Sequence, residues 1–310
     1  MQPAIEAEQK SEVHIHTEKV KAMDMHIWKR IEPFVYLFPA FLIFIVFVYY
    51  PFLKTIYLSF HVTNLVGKAV GFVGFDNYKE LFTSPEFLNS LVVTCKYVIF
   101  TVIPAILGGF VLALLTQKKA KGVGILRVLY AMPMAVSISC ASVIWMLLYH
   151  PTIGLINYVI GQQISWLSDP SWALIAIAIV TAWMHLGFNF ILILAGLKSI
   201  PKEYYESAAI DGAGYLQTLF KITIPILSPT LFFVVVVNII DVFQAFGQVN
   251  IMTQGGPANS TNVLVYTLYQ QAFLNNRFSL ASASSIILFI MMLVVTLIQF
   301  RYEKKWVHYQ

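Results

Sequence analysis

Seven polar residues interrupt two long apolar stretches, and their spacing limits the chemistry they can share. Asn238, Asp241, Gln244 and Gln248 are spaced 3, 3 and 4 apart. At about 100° per residue they fall within an arc of about 120° on one helix. Thr181, His185 and Asn189 are spaced by four and share a narrower stripe. Polar groups at membrane depth are costly and often mark a pathway. These seven offer amides, a hydroxyl, an imidazole and one carboxylate, with no Lys or Arg among them. Such a set suits sugar hydroxyls, whereas a phosphate would call for cations or helix N-termini. The same residues can instead hydrogen-bond helix to helix. For each residue the sequence leaves both readings open, and His185 could simply be a packed, hydrogen-bonded histidine.

Catalytic motifs are missing from the sequence. Gly67-Lys68 is followed by Ala69, so no phosphate loop forms and the chain cannot hydrolyse ATP alone. No His-Glu-x-x-His, Gly-x-Ser-x-Gly or Ser/His/Asp arrangement is present. The chain reads as a non-enzyme without a bound metal. Cys95 and Cys140 lack metal-ligand spacing and read as small apolar packing residues. His14 and His16 could form a weak metal site, but they lie in a polar, mixed-charge segment, residues 1–33, that lacks the apolar core of a secretory signal and is expected to be a disordered tail.

The elements that position the polar stripes are membrane spans. Hydrophobic residues make up 58% of the 310 residues and charged residues 11%, with a mean hydropathy of +0.74. A soluble domain carries about 25% charged residues, so the natural solvent for this surface is the bilayer. Six windows reach the roughly 20 apolar residues a span needs: residues 34–52, 89–115, 128–149, 172–197, 225–248 and 279–300. The expected fold class is an all-α integral membrane protein. Its domain is 34–300, with tails at 1–33 and 301–310 and no internal repeat. Pro39, Pro104 and Pro133 fall inside windows, where neighbouring helices can satisfy the freed carbonyls. The outer loop at 71–88 is expected to hold a short amphipathic helix, and Gly255-Gly256-Pro257 marks a turn.

Charge sets the orientation. Lys10, Lys19, Lys21, Lys29 and Arg30 precede the first window. Lys118, Lys119, Lys121 and Arg127 follow the second, Lys198, Lys202 and Lys221 follow the fourth, and Arg301, Lys304 and Lys305 follow the sixth. Fifteen of the 20 cations therefore lie on one side. Lys54, Lys68, Lys79 and Arg277 lie opposite, and Lys96 sits inside a window near its outer end. Both termini are expected to be cytoplasmic. The same clustering between apolar segments assigns the net charge of +5 to topology and not to nucleic-acid binding.

The inner loop at 198–225 departs from a plain connector. Ser199 can cap a helix start, and Pro201 suits its first turn. Glu203 and Glu206 favour the same end, while Ala208 and Ala209 allow close approach of another chain. Gly212 and Gly214 stop the helix and permit positive φ. A second short helix over 215–221 is expected to end near Pro225.

Here the residues resemble a family. Glu, Ala, Ala, three residues, Gly, nine residues, Ile, any residue, Leu and Pro mark the membrane subunits of binding-protein-dependent ABC importers. Glu206, Ala208, Gly212, Ile222 and Pro225 match that pattern, while Ser207 and Ile224 stand where the pattern has Ala and Leu. Phe75-Asp76-Asn77-Tyr78, Gly255-Gly256-Pro257, residues 262–269 and Gln299-Phe300-Arg301-Tyr302 resemble the carbohydrate branch, the permeases of maltose and glycerol-phosphate type.

The resemblance implies a type I ABC importer permease of six spans in a bacterial inner membrane. It implies a second homologous permease, two cytoplasmic ATPase subunits holding ATP and Mg, an extracytoplasmic solute-binding protein and surrounding membrane lipid. It places Glu206, Ser207, Ala208, Ala209, Asp211, Gly212 and Ala213 in the contact with an ATPase groove. The substrate it implies is a sugar or oligosaccharide, with glycerol 3-phosphate or a glycerophosphodiester as the alternative. An ATPase-independent secondary transporter or channel is a further reading, and the coupling loop would then have no purpose.

Overall fold

A computed structural model describes residues 32–117 and 121–306, except for the side chains of 304–306. Residues 1–31, with His14 and His16, residues 118–120, with Lys118 and Lys119, and residues 307–310 lie outside the described residues. The chain divides into two units, residues up to Tyr57 and residues from Leu58 onward. The described part of the first unit is helix α1, Glu32–Ser59, which ends at the start of the second. Its 28 residues exceed the length a span needs. The expected tail at 1–33 therefore ends slightly earlier, because Glu32 and Pro33 already belong to α1.

The second unit opens with a hairpin that an all-α expectation lacks. Strands β1 (His61–Thr63) and β2 (Ala69–Phe72) pair antiparallel, with His61 opposite Phe72 and Val62 opposite Gly71. Helix α2, Asp76–Thr83, is the short helix expected of the 71–88 loop. The buried Asn77 amide nitrogen donates to the carbonyls of Ser59 and His61 at 2.8 and 3.1 Å. The Tyr78 hydroxyl donates to Ser59 Oγ at 2.8 Å. The Phe-Asp-Asn-Tyr motif thus satisfies backbone groups where helix gives way to strand.

Two long helices form the spine of this unit. Helix α3, Pro85–Thr116, starts at Ser84, whose Oγ accepts from the Phe87 amide, with Pro85 in the first turn. Helix α7, Pro170–Ser199, starts at Asp169, whose Oδ1 accepts from the Ser171 amide at 2.8 Å, again with Pro first. These caps carry both helices past the ends of their apolar windows. Lipid offers little driving force for helix association, so close packing and hydrogen bonds must hold the pair. At Gly109 on α3 an added Cβ would come within 2.8 Å of Asn189 Cβ on α7. Only glycine permits that approach. Tyr97 on α3 shares a 2.7 Å hydrogen bond with Thr181 on α7, both fully buried.

The third window is not one straight span. It folds as α4, Val123–Ala131, a 3-10 turn at Met132–Ala135, and α5, Ile138–Leu148, bent by 105°. Pro133 supplies no backbone donor. Val136 is extended (ψ 132°), and Ser137 Oγ accepts from the Cys140 amide to start a new helix. Helix α6, Leu155–Ile160, follows.

The loop at 198–225 holds α8, Lys202–Ile210. Helix α9 then runs Tyr215–Phe243 through a π-turn at Leu219–Thr223. The second short helix therefore does not end near Pro225 but continues into the fifth span. That span in turn ends at Phe243, short of its window. Gln244 caps it at φ −97° and ψ 4°, and a separate helix α10, Gly247–Met252, begins beyond the break. Gly247 lets α10 lie against α5, since a Cβ there would meet Ile138 Cγ2 at 2.7 Å.

Helix α11, Leu264–Tyr269, and the long α12, Phe278–Trp306, complete the chain. Residues 301–306, assigned to a tail, are thus still helical. Buried Phe190, Ile193 and Leu197 of α7 pack with Leu227 and Val234 of α9. Tyr97, Ile177, Val180, Val242 and Val249 form a second core. Among the described residues five helices are long and apolar enough to cross a membrane, and a sixth if the bent pair α4–α5 counts as one span. Cys95 and Cys140, expected as packing residues, are both exposed on the chain.

Candidate functional site

Both breaks in the apolar spans face one cavity of about 730 Å³. The turn before α5 contributes Met134, and α5 contributes Ile138 and Ser139. Helix α7 contributes Met184, His185 and Phe188. The end of α9 and its break contribute Asp241, Gln244, Ala245 and Phe246, and α10 contributes Gly247 and Gln248. Irregular backbone at membrane depth is tolerated where it is buried in protein or lines a cavity. The positions of the two breaks follow that rule.

The cavity divides the seven polar residues. His185, Asp241, Gln244 and Gln248 line it. Thr181, Asn189 and Asn238 do not, and each is fully buried between helices. Thr181 is held by Tyr97 and by the Ile177 carbonyl. Asn189 and Asn238 bond each other across α7 and α9. The expectation of one continuous stripe from Asn238 to Gln248 is corrected by the break at Gln244, which turns Gln248 onto α10. The buried Gln248 amide nitrogen approaches Met184 Sδ at 3.9 Å, while its Oε1 has no partner within the described residues.

Phe188, Phe246, Ser139 and the Met residues of the wall were not singled out from the sequence. Pro133 and Gly247 were the usable signals, since interrupted apolar segments in helical transporters tend to form the binding site.

A second site of interest lies on the loop between α7 and α9. Pro201, not Ser199, precedes α8, and Ser199 remains the last residue of α7 with its hydroxyl on the Gly196 carbonyl. Helix α8 closes in a two-bond cap. The Gly212 amide donates to the Ala209 carbonyl at 3.2 Å, and the Ala213 amide donates to the Ala208 carbonyl at 2.9 Å. This is the Schellman arrangement, which places the residue after the cap in the left-handed region. Gly212 sits there at φ +73°. Gly214, by contrast, is extended at φ −71° and starts α9, so only one of the two glycines uses positive φ.

Glu206, Ser207, Ala209, Asp211 and Gly212 are exposed and Ala213 is half-buried. Ala208 is buried, so its small size serves packing within this chain and not close approach from outside. Ile210, 86% exposed, stands on the same loop with exposed Tyr215 and Leu216. This apolar surface was also not anticipated from the sequence.

A helical membrane bundle whose broken spans line a largely apolar cavity carrying a few polar side chains has the architecture of a transport permease. Residues 105–307 match the family described as binding-protein-dependent transport system inner membrane component. The chain is 33% identical over 284 residues to the sn-glycerol-3-phosphate transport system permease protein UgpA of Agrobacterium fabrum, covering 90% of this chain and 97% of that protein. It is 35% identical to the protein of the same name from Rhizobium meliloti, with the same coverage. A bacterial ABC transporter involved in the import of the acidic polysaccharide alginate has a chain of the same fold, with TM-score 0.77, 23% identity, and coverage of 90% of this chain and 99% of that one. The chain therefore belongs to the binding-protein-dependent transport system inner membrane component family and is a multi-pass permease of an ABC importer.

Proposed function

We propose that this permease carries a neutral sugar or oligosaccharide, handed over by an extracytoplasmic binding protein and driven by ATP hydrolysis on separate subunits. The observation that carries the reading is the wall of the cavity. Its polar members are one carboxylate, one imidazole, two amides and one hydroxyl, with Phe188 and Phe246 beside them and no Lys or Arg. Hydroxyls of a sugar can donate to Asp241 and to the unpartnered Gln248 Oε1 and can exchange hydrogen bonds with Gln244 and Ser139. The rings can cover the apolar faces of a pyranose.

In this reading the chain pairs with a second homologous permease, and ATP and Mg are held by two cytoplasmic ATPase subunits. The excess of Lys and Arg on the side of the 198–225 loop supports placing that loop and both termini in the cytoplasm. The exposed turn Glu206–Ser207–Ala209–Asp211–Gly212, with Ile210 beside it, would enter a groove of an ATPase. Continuity of the loop with α9 supports a direct mechanical route, because movement of the turn would reach Asp241, and Gln244 at the cap, along one helix. ATP or substrate would shift the inward and outward forms only through different affinity for the two.

In a second reading the substrate is glycerol 3-phosphate, which the names of the relatives above support, or a glycerophosphodiester. The cation-free wall weighs against it, because a phosphate buried there would meet the Asp241 carboxylate without a compensating charge. Uptake into proteoliposomes containing the full assembly and its binding protein separates the two. Accumulation of labelled neutral sugar without glycerol 3-phosphate supports the first reading. Accumulation of glycerol 3-phosphate without neutral sugar overturns it.

A further inference from the structure

At the end of the bundle that carries the inner loop, a second cavity of about 690 Å³ opens between α4 and α7. Its lining contains two cations, Arg127 and Lys198, and no acid. The rest is apolar and includes Val128, Met132, Ile191 and Leu194. Val128 and Met132 are 64% and 55% exposed, so the groove is open along its side.

The chain leaves the guanidinium only partly satisfied. Arg127 Nη2 donates to the Thr116 carbonyl, but the buried Nε has no hydrogen-bond partner. Among the described residues neither Arg127 nor Lys198 forms an ion pair. The dipole at the C-terminal end of α7 favours Lys198 by itself. It gives no account of Arg127, which lies in the middle of α4.

We propose that this groove binds an anionic phospholipid, with the headgroup phosphate on Arg127 and Lys198 and an acyl chain along Val128, Met132, Ile191 and Leu194. Basic pockets between membrane helices take such headgroups, and each cation near the surface contributes a comparable increment. The apolar walls select a lipid over a free phosphate or a glycerol phosphate, which would leave them bare. An apolar helix of another subunit would cover the walls but leave two cations without counter-charge. The binding does not depend on the proposed substrate or on which leaflet faces the cytoplasm.

Native mass spectrometry of the purified transporter, titrated with phosphatidylglycerol or phosphatidylcholine, tests this. The anionic lipid should be retained in preference. Arg127→Gln should weaken it about fivefold, Lys198→Gln similarly, and Arg127→Lys should restore most of it. Lys198 is exposed, so its variant remains informative should Arg127→Gln fail to fold. Equal retention of the two lipids, or no loss in either Gln variant, overturns the proposal. Complete displacement by inorganic phosphate overturns it as well, because the site would then hold a free anion. Efficient cross-linking of cysteine at Ile191 to a second permease in native membranes would show a protein occupant and would likewise refute it.

Discussion

Asn189 and Asn238 form a reciprocal amide pair across α7 and α9. Each Nδ2 donates to the other's Oδ1, at 3.0 and 2.6 Å, and Asn238 Nδ2 also donates to the Val234 carbonyl at 2.8 Å. Both residues are fully buried. Changing Asn238 to Leu keeps the branched shape, with bulkier methyl groups, but strands the Asn189 amide, at a cost of about 1–3 kcal/mol in general. In membrane helices the average interhelical bond is nearer 0.6 kcal/mol. We therefore expect Asn238→Leu and Asn189→Leu each to lower the thermal unfolding midpoint, and the double change to cost less than the two together. The KM for substrate should stay put in all three. A raised KM with an unchanged midpoint would return this pair to the pathway.

The cavity residues should behave in the opposite way. Asp241 is exposed to the cavity, and among the described residues its side chain makes no hydrogen bond that would hold α9 in place. Hydrogen bonds to a charged group contribute about 1.5–3 kcal/mol, so Asp241→Leu should raise the KM by about tenfold or more. Asp241→Asn should recover part of that loss, because the amide still accepts from a hydroxyl. Protein yield and melting should match the parent chain. Normal uptake kinetics in both variants would remove Asp241 from any contact with substrate.

The two preceding cases show which parts of the site could be read from sequence. Apolar length located five spans, and the spacing of Glu206, Gly212 and Pro225 located the loop, because both depend on local composition. Whether a polar residue faces a cavity or a neighbouring helix depends on rotation and on breaks. Asn238 and Asp241 share an arc in the sequence, yet three residues separate a sealed amide pair from an open wall. Pro133 and Gly247 were visible, but proline is common in membrane helices. The 105° bend also needed Ser137 to start a new helix, and the break at Gln244 needed Gly247 to seat on Ile138. Those are tertiary events that no window of hydropathy contains.

Orientation can be checked directly. With six spans, 15 of the 20 cations fall on the side of the 198–225 loop, and that bias should keep both termini cytoplasmic. Reporter fusions after residue 119 and after Lys202 should read as cytoplasmic, and a fusion at Asn259 as exterior. A cytoplasmic reading at Asn259 would reverse the topology and, with it, the assignment of the ATPase side.

The cap of α8 offers the most discriminating test of coupling. Gly212 holds φ +73°, and a Cβ there would meet nothing within 4 Å. The cost of substitution is therefore conformational and not steric within this chain. A β-branched residue in the left-handed region costs about 1–2 kcal/mol, enough to break the Ala213-to-Ala208 and Gly212-to-Ala209 bonds and redirect the turn. Asparagine tolerates that region and keeps the cap. Gly212→Val should therefore insert into the membrane at normal levels yet lose substrate-stimulated ATP hydrolysis and uptake, with the ATPase subunits detaching on purification. Gly212→Asn should retain the ATPase subunits if only the backbone matters. It should release them if the groove also requires a bare Cα at the contact, since the space here is open until a partner fills it. Full stimulated hydrolysis and uptake by Gly212→Val, with the ATPase still bound, would move coupling elsewhere on the inner face.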